Sequence, residues 1–139
     1  MADIGKAIVT YLKAQSGVSD LVGQRVYRGA ARQGATLPHI VVTIDDESKH
    51  HGIAAATGVS EAAIEVDCFG STRRGTGGAN IVGAAVDTAL DRLNDTTSTS
   101  VLIHHVFSTF RLEDYERPIA GESAGRFVDR REYQANFDD

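Results

Sequence analysis

Three spacings in this chain place side chains where they could do chemistry. Residues 121–125 read Gly-Glu-Ser-Ala-Gly, a literal G-x-S-x-G, the turn that lifts a nucleophilic serine above a hydrolase sheet. Such a turn needs a strand before it, a helix after it, and an acid and a histidine further along. Here the last histidine is His105, upstream of Ser123, so the segment reads as a Gly/Ser loop between strands. Residues 70–78, GSTRRGTGG, hold Gly70 and Gly75 at phosphate-loop spacing, but Thr76 stands where that loop requires lysine. A dinucleotide fingerprint fails as well, because Asn80 replaces its third glycine. The run therefore reads as a flexible connector displaying Arg73 and Arg74.

The third spacing concerns metal. His50 and His51 follow Asp45, Asp46 and Glu47, a mixture of ligand types without the ordered spacing of a zinc site. His104 and His105 are adjacent in a predicted strand, so they point to opposite faces and cannot share an ion locally. His39 opens a strand and reads as packing or edge polarity. Cys68 alternates with Ile64 and Val66, which makes it a core residue and leaves no partner for a disulfide. Arg25, Arg28 and Arg32 are the densest basic stretch, suited to pairing with the excess acids. No metal, cofactor or catalytic residue is assigned.

The elements that would position these residues fit one domain over residues 1–139. Fourteen basic against nineteen acidic side chains give a net charge of -5, which argues against affinity built on phosphate neutralisation. The N-terminal stretch lacks the apolar run of a signal peptide, and no segment approaches a membrane span. With one cysteine, the expectation is a reducing compartment and a protein made in the cytoplasm.

Ile4, Ala7, Ile8, Tyr11 and Leu12 have helical spacing from Asp3 to Gln15, with Asp3 as N-cap and Gly17 as stop. Val18, Leu21 and Val22 suggest a further helical turn before Gly23. Residues 25–29 and 39–45 read as strands. Residues 46–58 show no period and read as a long loop, at a length where loops are usually functional. Residues 59–69 alternate as a strand with Ala62, Ile64, Val66 and Cys68 on one face. A helix is expected from Ala79 to Leu93 with Ile81, Ala84, Ala85, Thr88, Ala89 and Leu93 toward the sheet. Residues 94–100 read as a turn, 101–112 as a strand, 113–125 as a loop and 127–137 as the closing strand. The expected fold is α+β, with two principal helices on one face of a mainly antiparallel sheet of four to five strands.

In this order of elements GQRVYRG, LPHIVVTI, AAIEVDCFG leading into an alanine-rich helix, and a final EYQANF resemble the tail completion or tail terminator proteins of long-tailed bacteriophages, prophages and gene transfer agents. The resemblance implies a structural virion protein, not an enzyme. It implies a homo-oligomeric ring, commonly a hexamer, that caps the head-proximal end of the tail tube, stops tube polymerisation and joins tail to head. Its partners would be its own copies, the tail-tube protein and the head connector or stopper protein, with DNA passing through the lumen without specific binding and no membrane involved. The family supplies no catalytic residues, so only locations carry over: the segment from Asp46 to Gly58 and the connector from Gly70 to Gly78. The interface candidates are Asp46, Glu47, Lys49, His50, His51, Ile53, Arg73 and Arg74. The alternatives are a head completion or adaptor protein, or a small metal-dependent enzyme or ligand-binding domain using the acidic and histidine-bearing loop.

Overall fold

A computed structural model describes residues 3–31, 34–51, 56–118 and 124–138, with the backbone alone described at 49–51, 56 and 57. The elements run α1 (Ile4–Ala14), α2 (Ser16–Val22), β1 (Val26–Arg28), β2 (His39–His51), β3 (Ala56–Gly70), α3 (Ala79–Asp91), β4 (Thr96–Ser98), β5 (Val101–Glu116) and β6 (Arg126–Asp138). The strands form one six-stranded sheet in the order β1-β2-β3-β6-β5-β4, antiparallel except for β1 against β2. The α+β class holds, with three helices and six strands among the described residues. β1 is the short strand expected at 25–29; the added strand is β4, three residues within the expected turn at 94–100 and too short to show a period.

Helix α1 starts where the Asp3 carboxylate accepts from the Lys6 N–H at 3.0 Å, and it buries Ile4, Ala7, Ile8 and Leu12. Gly17 does not stop it. The chain breaks at Gln15, in extended conformation, and Gly17 lies inside α2; Gly23, at φ 60°, ends that helix. Two side-chain bonds tie α1 to distant chain: Ser98 Oγ donates to the Ala7 carbonyl at 2.8 Å, and Tyr11 Oη to the Ala89 carbonyl at 2.8 Å.

The main core lies between the helices and one sheet face, with Ile40, Val42, Ile64, Val66, Cys68, Ile103, Tyr133, Ala135 and Phe137 facing Ile8, Leu12, Val18, Val86 and Leu90. Cys68 is fully buried on the predicted face. Helix α3 buries Ala89, and Leu93 just past its end, as expected, but its inward stripe is otherwise a different one. Val82, Gly83, Val86, Ala89 and Leu90 are buried, whereas Ile81, Ala84 and Thr88 are exposed. Alanines around the whole circumference give the sequence too little contrast to fix the phase of this helix.

Two expected loops are strand. Residues 46–51 extend β2 and 56–58 begin β3, paired as Asp46↔Ala63, Glu47↔Ala62 and Ser48↔Glu61. Both faces of this ribbon end carry polar side chains, so backbone pairing forms it without the apolar alternation that marks a half-buried strand. Residues 113–116 likewise belong to β5, opposite Arg126–Asp129.

Candidate functional site

The connector after β3 is folded, not flexible. The Ala79 N–H donates to the Thr72 carbonyl and the Asn80 N–H to the Arg73 carbonyl, each at 3.0 Å, and Thr72 Oγ1 donates to the Arg74 carbonyl at 3.0 Å. A Cβ on Gly70 would stand 2.5 Å from Ala79 N, and one on Gly78 2.8 Å from the Arg74 carbonyl carbon, so two glycines here permit close backbone approach. Arg73 lies 5.5 Å from the centre of the Phe127 ring and Arg74 reaches Glu113 at 3.5 Å; both remain exposed.

The connector and the ribbon end stand at opposite ends of the 15-residue β3, roughly 45 Å apart at the ordinary strand rise. The eight interface candidates therefore do not form one patch. Asp46 and Glu47 are exposed on β2, Lys49, His50 and His51 form the end of its backbone, and Ile53 lies outside the described residues, as do Arg32 and Ser123. Of the other two arginines in the basic stretch, Arg28 pairs with Asp3 at 2.8 Å and Arg25 Nε donates to the Pro38 carbonyl at 2.9 Å.

Beneath α3, Asp129 is fully buried and receives Arg131 Nε at 3.0 Å and a second guanidinium nitrogen at 3.3 Å. Gly83 gives this pair its room: a Cβ there would meet Arg131 Nε at 2.7 Å and Asp129 Cγ at 2.8 Å. Arg111 reaches Asp129 at 3.4 Å and Glu113 at 2.6 Å, Asn80 also donates to Glu113, and Tyr133 donates to Asp87 at 3.0 Å. Every polar group in this network has a partner inside the fold, which fits fixing α3 on the sheet better than handling a substrate.

The sheet face away from the helices is chemically mixed. One end carries a small cluster of Val41, Phe69 and Val128, covered by Tyr27, Ala31 and Leu37. His39 is buried there between Tyr27 and Phe69, its Nδ1 3.2 Å from the Thr36 carbonyl, and burial lowers its pKa; it is the packing residue expected. Arg126 lies 4.1 Å over the Phe69 ring and pairs with Glu116 at 2.7 Å. A hollow of about 270 Å³ opens beside them, with Glu65, Asp67 and Arg126 on its walls.

Further along this face Asp45, Glu65 and Glu132 bring carboxylate oxygens within 4.8 Å of one another. Burial and the adjacent Asp67 push Glu65 up to about 7, because Arg130 sits closer to Asp67, at 2.9 Å, than to Glu65, at 3.5 Å. Among the described residues the structure thus groups Asp45 with acids from other strands. His104 bonds Asp138 at 2.6 Å, which raises its pKa, while His105 meets Asn94 at 2.8 Å, so the adjacent pair serves two separate contacts.

On the same face β5 exposes Phe107, Phe110 and Leu112, each more than two-fifths accessible. Their partners Gln134, Glu132 and Arg130 share rows with Ala63, Glu65 and Asp67. Phe107 and Phe110 are three apart, which in a regular strand puts them on opposite faces; a bulge between Ser108 and Phe110 returns them to one. The sequence carries no mark of that bulge, so this apolar row was missed.

A search of curated protein sequences returns no match. A chain in a structure described as the virion of a native gene transfer agent (GTA) particle shares the fold, with a TM-score of 0.70, 16% identity, and coverage of 96% of this chain and 92% of that one. Residues 6–116 match the family described as tail completion protein gp17, from α1 to the end of β5. With that match spanning most of the domain, the chain belongs to the tail completion protein gp17 family, a family of structural proteins of phage-type tails.

Proposed function

We propose that this chain assembles with copies of itself into a ring, a hexamer, at the head-proximal end of the tail of a phage or gene-transfer-agent-like particle. There it stops polymerisation of the tail tube and joins the tube to the head connector or stopper protein. The observation that carries this reading is membership of the tail completion family across most of the domain. The surfaces agree with it, because two exposed features stand at opposite ends of β3, as a part contacting two different components requires. In this reading the ribbon end with Asp46, Glu47, Lys49, His50 and His51 meets one component, and the connector with Arg73 and Arg74 meets the other. An overall charge of -5 per copy lets DNA pass the lumen without being gripped.

Light scattering of the purified protein, alone and with its tail-tube protein, tests the proposal together with negative-stain images of both samples. Rings, free or seated on the ends of tubes of uniform length, are the expected outcome. A monomer that leaves tube length unchanged overturns it. Pull-down against tube protein and connector protein separately distinguishes this role from that of a head adaptor, which would hold the connector and ignore the tube.

A further inference from the structure

The sheet has two long strands whose outer edges are largely uncovered. β1 lies against Ile40–Val42 alone, leaving β2 open from Thr43 to His51, and β4 lies against Val101–Ile103 alone, leaving β5 open from His105 to Glu116. Among the described residues no strand pairs with either stretch. An unpaired edge is a template for another strand, and soluble proteins ordinarily shorten, cover or interrupt it.

We propose that these two edges are the contact between successive copies in the ring: β5 of one copy pairs antiparallel with β2 of the next, continuing the sheet from subunit to subunit. This inference rests on the ring reading and adds to it the surface that closes the ring.

Three features favour a second copy of this chain over any other strand. The first is direction. Between the open edges lie β2, β3, β6 and β5, each antiparallel to its neighbour, so β5 of one copy and β2 of an identically oriented next copy run in opposite senses. The second is length. Across the same rows Val42 to Ser48 and His105 to Arg111 each span seven residues, whereas Glu61 to Val66 and Arg131 to Asn136 span six, because each outer strand carries one bulge, at Asp45 or at Thr109. The two edges therefore present equal numbers of residues over the same rows, each bent by a bulge at a neighbouring row. The third is kind. The edges belong to opposite sides of the sheet, so the contact joins unlike surfaces, the arrangement that generates a ring when the rotation closes. It also brings a neighbour beside Phe107, Phe110 and Leu112, the apolar row otherwise left in water.

Engineered disulfides test the pairing in the intact chain. Asp46→Cys is combined in turn with His105→Cys, Phe107→Cys, Phe110→Cys and Leu112→Cys to allow for stagger between copies. Cys68 is buried and stays out of the reaction. After mild oxidation, one pairing should give a ladder of covalent oligomers that ends at the closed ring, while each single substitution gives none. In parallel, Thr109→Pro places at the β5 bulge a residue that cannot donate to an adjoining strand. It should keep the circular dichroism of the wild type and remain monomeric. Wild-type rings with no cross-linked ladder, and with rings intact in Thr109→Pro, would overturn the edge pairing while leaving the ring reading standing. If Thr109→Pro forms rings that no longer bind tube, the edge belongs to the tube protein and the inference is again overturned. A wild type that stays monomeric alone and on tubes ends both.

Discussion

Asp129 and Arg131 form a buried bidentate ion pair, which is costly to break from one side. Replacing Asp129 with Ala leaves a guanidinium buried under α3 without its bidentate partner, and urea denaturation should show a loss of about 3–5 kcal/mol. Gly83→Ala forces a methyl group against the same pair and should cost about 1–3 kcal/mol in the same measurement. Glu65 has the opposite sign. Its folded pKa, about 7, lies above the ordinary value of 4.5, so its contribution is fully present below pH 4.5 and is lost as pH rises through 7. Comparing wild type with Glu65→Gln at pH 5 and pH 8 should show the wild type losing stability relative to the variant at pH 8, by an amount on the order of 1–3 kcal/mol. Burial pushes the Cys68 thiol far above its ordinary range, so a thiol reagent such as DTNB should leave it unmodified in native protein and titrate it only on unfolding. The face of Cys68 was legible in the sequence because Ile64, Val66 and Cys68 alternate without interruption. The carboxylate trio was not, since Asp45, Glu65 and Glu132 meet only through a register across three strands.

Among the elements, the β2–β3 ribbon is separable from the fold. Among the described residues the main core draws nothing from β2 beyond Ile44 or from β3 before Ala62. Deleting residues 48–56 should therefore leave the melting transition within a few degrees of wild type while abolishing assembly into particles. Normal transfer or infection with the deleted chain would show that the ribbon end is not an assembly arm. Helix α1, β1 and the central strands were readable because burial imposes a period on them. The ribbon was not, because a strand with water on both sides needs no apolar alternation. The phase of α3 was lost to its alanines, and the apolar row of β5 to a bulge that shifts every later side chain to the other face.

As a whole molecule, the protein spreads its polar groups over several separate places. Its one large buried polar network is satisfied internally, and its exposed groups are spread over two ends and two strand edges. That distribution suits an assembly part, which makes several contacts to different neighbours. The class was legible from element order and so was β1, but the sixth strand was not, because β4, three residues inside an expected turn, is too short to announce itself. What β1 and β4 leave uncovered, and so the contact proposed between copies, follows from the topology alone.

The position of β6 in the middle of the sheet has a consequence in time. During synthesis α1 appears first, yet it is held by Ala89 and Ser98, and β3 has no inner neighbour until β6 has been made. The pairs β2–β3 and β4–β5 can form as they emerge, but the sheet closes only when β6 slides between β3 and β5. A polypeptide that stops between Glu116 and Arg126 has β3 and β5 but lacks the strand that joins them. The order of strands thus defers closure of the sheet until β6 is made, however early its other parts appear.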